Sequence, residues 1–126
     1  MAEIKLLEDT MIVSETDASG IILYANDDFC KIAGYTKEEL KGKPHNIVRH
    51  LDMPSVAFKG LWETIQSGQI WNGIVKNKTK NGDYYWVNAT AYKSIATDGS
   101  VRYISVRVKP TQDEINDAIE LYKGLR

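Results

Sequence analysis

The chain has 126 residues, of which 43% are apolar and 26% charged, and a net charge of -1. These are the proportions of one soluble domain with a core of its own. So neutral a balance supplies no basic field for nucleic acid, no apolar run reaches bilayer length, and Met1 to Asp9 holds no signal-peptide core. Cys30 is the only cysteine, which excludes an internal disulfide and a cysteine zinc cluster. The expected setting is cytoplasmic, with no direct membrane insertion by this segment. A late helix running to Arg126 leaves room for a longer native chain.

In chain order, residues 1–10 read as an N-terminal arm or short helix. Met11 to Thr16 is a short strand, Asp17-Ala-Ser-Gly20 a turn, and Ile21 to Ala25 a second strand, so the pair forms a hairpin. Asn26 stands at the N-cap of a short helix with Phe29, Ile32 and Ala33 on its apolar face, ended by Gly34. Thr36 and Glu39 make a capping box that opens another short helix, stopped by Gly42.

Pro44-His-Asn-Ile-Val-Arg-His-Leu-Asp-Met-Pro54 then gathers both histidines between two prolines. Each proline biases its predecessor away from helix, so the segment is irregular or a single turn, with a longer helix from Pro54 to Gly68. Its mixed polar residues fit the wall of a ligand site. They fit equally a polar connector whose Asp52 caps the next helix.

Three strands follow: Ile70 to Thr79, Tyr84 to Ile95 after the Asn81-Gly82 turn signal, and Val101 to Val108 after Thr97-Asp-Gly-Ser100. Pro110 breaks the sheet, and a second capping box, Thr111 with Glu114, opens the exit helix at 111–126. Segregated strands and helices of this order indicate an α+β domain over 11–110, built on an antiparallel sheet. Ile115, Ile119 and Tyr122 suit the exit helix either to cap the sheet or to meet a partner.

Alternation along the strands names candidate residues. Trp71, Gly73, Val75 and Asn77 share a face. A large ring, a position without a side chain and an amide suit a flat heteroaromatic ligand; a core tryptophan with Asn77 at a strand end is the competing reading. In the last strand Tyr103, Ser105 and Arg107 oppose Ile104, Val106 and Val108, and either face can be the inner one. An inward Arg107 requires a buried partner; an outward one requires none.

No nucleophile elbow, phosphate loop or dinucleotide fingerprint occurs, so no enzyme is expected. His45 and His50 are a poor fit to the spacing of a helical zinc pair, although either suits an axial haem ligand. Cys30 reads as a packing residue.

Gly20-Ile-Ile-Leu-Tyr-Ala-Asn26 with Phe29, Gly34-Tyr35, Glu39-Leu-Lys-Gly42 and the closing three-strand meander resemble the PAS domain family. Pro44 to His50, Asp52-Met-Pro54, Trp71 to Asn77, and Lys80-Asn-Gly-Asp83 with Tyr85-Trp86 resemble, more narrowly, the sensor domain of bacterial aerotaxis (energy-taxis) receptors. The resemblance implies a five-stranded antiparallel sheet with short helices flanking a cofactor pocket, and a noncovalent FAD as redox sensor. It implies that Arg49, His50, Asp52 and Trp71 help bind the flavin, with Asn26, His45, Asn77 and Arg107 at or near the pocket. It further implies a signalling domain or receptor subunit of a chemotaxis pathway as partner, association with a membrane-anchored receptor, and a tendency to form homodimers. Leu51 departs from the family's usual proline. The flavin light sensors of the same fold use a cysteine in the region that here reads His45-Asn46-Ile47, so a covalent photocycle is not expected. A haem-binding oxygen sensor is the alternative.

Overall fold

Runs of β-branched and aromatic residues form the strands. The computed structural model describes residues 1–125. Strands β1 (Ile12–Thr16), β2 (Ile22–Ala25), β3 (Trp71–Lys78), β4 (Tyr84–Ile95) and β5 (Val101–Val108) make one sheet in the order β2-β1-β5-β4-β3. Every neighbouring pair is antiparallel. Helices α1 (Asp27–Ala33), α2 (Lys37–Leu40), α3 (Ser55–Gln66) and α4 (Gln112–Leu125) accompany it, with a 3-10 turn at His45–Val48.

Period-two burial sets the inner face. Ile12, Ser14 and Thr16 of β1 are buried, as are Tyr85, Val87, Ala89 and Ala91 of β4 and Tyr103 and Arg107 of β5. The semi-polar side of β5 is therefore the inner one. Phe29, Ala33, Leu40 and Val48 close over this face from the short helices and the turn. On the other face α4 buries Ile115, Ala118 and Tyr122. Both capping boxes form, at Thr36–Glu39 and Thr111–Glu114.

Three local expectations are refined. The arm is not helical: Ala2 to Ile4 lie along the start of β4, bonded to both the N–H and the C=O of Tyr84. Pro54 is the N-cap of α3 rather than its first residue, and no side chain caps that helix; Asp52 pairs with Lys76 instead, 2.8 Å away. The β3–β4 connection is a five-residue loop over 79–83 rather than the four residues 80–83, because β3 ends at Lys78 and Thr79 and Asp83 bond across the base of the loop. The end of the exit helix at Arg126 lies outside the described residues.

The segment Arg49–Met53 runs along the free edge of β3. His50 N–H donates to Lys76 O, Lys76 N–H donates to Met53 Sδ, and the Tyr122 hydroxyl donates to Ile74 O. Covering an edge in this way satisfies groups that would otherwise invite another strand.

Trp71 folds back along its own strand: a Cβ built on Gly73 would lie 2.5 Å from Trp71 Cη2. Gly73 thus accommodates the strand's own indole. Gly73→Ala is expected to cost about 1–3 kcal/mol through overpacking, read as a lower urea midpoint with an unchanged m-value.

Candidate functional site

A cavity of 380 Å3 lies between the inner face of the sheet, the 3-10 turn and α3. This is within the usual size for a small-molecule site. Its wall carries Phe58, Trp62 and Tyr103 as aromatic surfaces and His45, Arg49, Asn77, Ser105 and Arg107 as polar ones. Trp62 meets Tyr103 edge to face, with ring centroids 5.2 Å apart. Its indole lies against Gly20, where a Cβ would sit 3.0 Å from Cζ2.

Arg107 is the central polar group, only 2% exposed. Its Nη1 donates to His45 Nε2 and Ser105 Oγ, and its Nη2 donates to Ser14 Oγ, each at 3.0 Å. The guanidinium stacks 4.7 Å from the centre of the Phe29 ring. No carboxylate pairs with it among the described residues. Burial lowers its pKa to about 10, so it remains a cation near neutrality.

Because a guanidinium only donates, His45 Nε2 must accept, which places the ring proton on Nδ1. The Ser14 hydroxyl, 2.9 Å away, reaches the same nitrogen. Burial, and then the Arg107 charge, hold the His45 pKa down to about 3. Among the described residues two buried polar atoms lack a partner in hydrogen-bond geometry: Arg107 Nε and the Tyr85 hydroxyl, the latter lying beside the Asn77 amide. Burial pushes that phenol up to about 12, so it stays neutral. Of the two, Arg107 belongs to the cavity lining, and an unsatisfied cationic N–H is what an electron-rich ligand would relieve.

Of the residues marked in the sequence, His45, Arg49, Asn77 and Arg107 line this cavity. Arg49 stacks 4.7 Å from the Phe58 ring centre, and its backbone bridges Asn77. Asn26, His50, Asp52 and Trp71 do not line it. Asn26 caps α1, accepting from Phe29 N–H, and ties β1 by accepting from Val13 N–H and donating to Met11 O. His50 lies on the edge side of β3, accepting Asp52 N–H at Nδ1 and meeting the Tyr84 ring. Asp52 holds Lys76, whose amino group sits 4.4 Å over Tyr84. Trp71 faces a groove between α3 and α4.

The sequence reading marks none of Ser14, Phe58 and Trp62 as a site residue. Alternation through Ile12, Ser14 and Thr16 places a hydroxyl on the inner face of β1, a signal that was available. Trp62 falls in the apolar stripe of α3, where helical spacing does not separate a cavity wall from core.

Residues 22–94 match the sequence profile described as the PAS fold. The chain belongs to the PAS family. This PAS domain is 47% identical over 120 residues to the aerotaxis receptor of Escherichia coli K12, covering 95% of the chain and 24% of that receptor. It is 32% identical over 101 residues to the biofilm dispersion protein BdlA of Pseudomonas aeruginosa, covering 79% of the chain and 24% of that protein. The chain therefore spans about a quarter of the length of these relatives. A light-oxygen-voltage domain structure superposes with a TM-score of 0.73 at 18% identity, covering 92% of this chain and 87% of that one. The Aureochrome1 LOV dark structure gives 0.73 at 20%, covering 88% and 86%. The likeness to these structures is one of fold.

Two outcomes are expected. Asn26→Ala removes a cap and the tie to β1 and should lower stability by about 1–2 kcal/mol in urea titration. His45 has a folded pKa below its unfolded value, so the unfolded chain binds the extra proton. Its contribution is complete above pH about 6.5 and is lost as pH falls toward 3. Stability measured from pH 7 to 5, above the carboxylate range, should fall more steeply in the native protein than in His45→Gln.

Proposed function

We propose that this PAS domain is a noncovalent FAD-binding redox sensor that converts flavin redox state into a conformational signal for a chemotaxis-type pathway. The observation that carries the reading is Arg107, a residue of the cavity lining that is buried without a counterion among the described residues and whose Nε lacks a partner there. A buried cation without a counterion is costly, and an electron-rich ligand atom relieves it. When bound, a flavin supplies one- and two-electron redox chemistry on a flat ring whose charge and proton count follow its oxidation state.

The chain's own residues fit that group. Trp62, Tyr103 and Phe58 offer flat apolar surface. Asn77 presents an amide that both donates and accepts. Arg49 and the exposed Lys59 of the lining supply cations for a pyrophosphate. His45, kept neutral by burial and then by the Arg107 charge, would be the polarity gauge: negative charge held beside Arg107 would offset the second of these causes. The Ser14–His45–Arg107 bonds are the contacts that would differ between two such states, and a difference of contacts is what moves an equilibrium. Ser14 sits on β1 and Arg107 on β5, adjacent strands of the sheet, so that difference would act on the strand pair to which the remaining strands join.

The same geometry favours flavin over haem. His45 Nε2, the atom an iron would need, faces the Arg107 guanidinium at 3.0 Å, and His50 lies outside the cavity lining. Cys30 also lies outside that lining, which agrees with a noncovalent site and no covalent photocycle. The 47% identity to an aerotaxis receptor supports the signalling context, with a receptor or signalling domain as partner and a membrane-anchored assembly as the setting. No helix among the described residues is long and apolar enough to cross a membrane.

The test is an absorption spectrum of purified protein, oxidised and then dithionite-reduced, with the released cofactor identified by chromatography. Two flavin bands that bleach, and FAD on denaturation, are expected. A Soret band, or a colourless protein that takes up no flavin, overturns the reading. Arg107→Met should weaken flavin binding at least about tenfold, roughly 1.4 kcal/mol, while leaving the flavin-free protein as stable or more stable. Trp62→Ala should lower flavin affinity more than Trp71→Ala, measured by fluorescence titration.

A further inference from the structure

The edge of β3 is covered along only part of its length. Lys76 N–H and C=O and Ile74 C=O all point away from β4 and are bonded by Met53, His50 and Tyr122. Alternation then directs the N–H and C=O of Asn72 and the N–H of Ile74 outward as well. Among the described residues no group bonds these three. Three in-line backbone groups on an edge strand are a template for one more strand.

The surroundings of this gap are shaped for side chains. A groove of 520 Å3 opens beside it, walled by Val56 and Ala57 of α3 and by Leu121 and Leu125 of α4, with Trp71 on its floor. Val56, Leu121 and Leu125 are 49%, 59% and 45% exposed, so apolar surface is available on both walls. Among the described residues the charged members of the lining are Glu114 and Asp117, with no Lys or Arg. Glu114 is engaged by Thr111 and Asn88, which leaves Asp117 as the exposed carboxylate. The groove shares no lining residue with the cavity; α3 is the wall between them.

We propose that this groove takes an extended peptide segment that adds a strand at Asn72–Ile74, seats alternate apolar side chains between α3 and α4, and sets a Lys or Arg beside Asp117. Main-chain bonds supply affinity in such a mode and alternate side chains supply selectivity. A second copy of the domain suits the site less well, because self-complementary pairing would bring Asp117 against Asp117 with no cation among the described lining residues. The proposal does not depend on the cavity's ligand.

The test pans a random dodecapeptide phage library against the purified domain and measures the synthesised winners by fluorescence anisotropy. The expected winners alternate apolar residues and carry Lys or Arg. Asn72→Pro removes an outward N–H without costing a ladder bond; it should weaken binding at least about tenfold, equivalent to 1.4 kcal/mol, whereas Asn72→Ala should not. Asp117→Lys should weaken it comparably. Urea midpoints of the variants check that each remains folded. No enrichment, winners without basic residues, or binding indifferent to Asn72→Pro and Asp117→Lys overturns the proposal. A concentration-dependent dimer that Asn72→Pro dissolves overturns it in favour of a second copy.

Discussion

One buried cation organises the inside of this domain. Arg107 is deep in the sheet with no carboxylate beside it, and its charge is dispersed over two serine hydroxyls, an imidazole nitrogen and the face of Phe29. Those partners come from β1, β5, the 3-10 turn and α1. The guanidinium therefore fixes where four parts of the chain meet. It also sets the state of its neighbours: His45 must be neutral, with its proton on Nδ1, because a cation occupies the other nitrogen. Hydrophobic burial assembles the shell, but the one polar arrangement that satisfies most of Arg107 selects a particular register and rotamer set within it.

The segment between the two prolines has a second organising role. Arg49 faces the cavity while His50, Asp52 and Met53 engage the edge and far side of β3. One short stretch thus contacts both surfaces of the sheet. Lys76 links it onward to Tyr84 and Trp86, where the N-terminal arm and α4 also pack. The backbone of this stretch therefore joins the cavity wall at Arg49 to the outer cluster along the rim of the sheet.

Much of this was legible in the residues. Caps and boxes at Asn26, Thr36 and Thr111 are local signals satisfied within three or four positions, so they placed the helix starts correctly. Strand alternation is equally local and located all five strands. Orientation was not local. Whether the Arg107 or the Ile104 side of β5 faced inward depended on which side α1 and the 3-10 turn covered, a tertiary fact. The same holds for the histidines: His45 and His50 lie five positions apart, and the chain between them turns from the cavity to the edge of β3. Trp71 lies outside the cavity lining, a placement alternation does not reveal because it gives a side chain's face but not its lean. Its ring folds over Gly73, and α3, whose stripe reads as ordinary core, brings Trp62 to the cavity instead.

The strand order has a temporal consequence. β1 lies between β2 and β5, and the bond from Arg107 to Ser14 joins residues 93 positions apart. Closing so long a loop carries an entropic cost before any contact repays it, and such non-local pairing slows the search for the native state. During synthesis the β1–β2 hairpin leaves the ribosome well before its other neighbour exists, with one edge of β1 unpaired and Ser14 still wet. The sheet becomes continuous only when β5 arrives. Arg107, the central polar group of the cavity, is thus among the last residues of the sheet to be laid down, so the cavity cannot be complete before the fold nearly is.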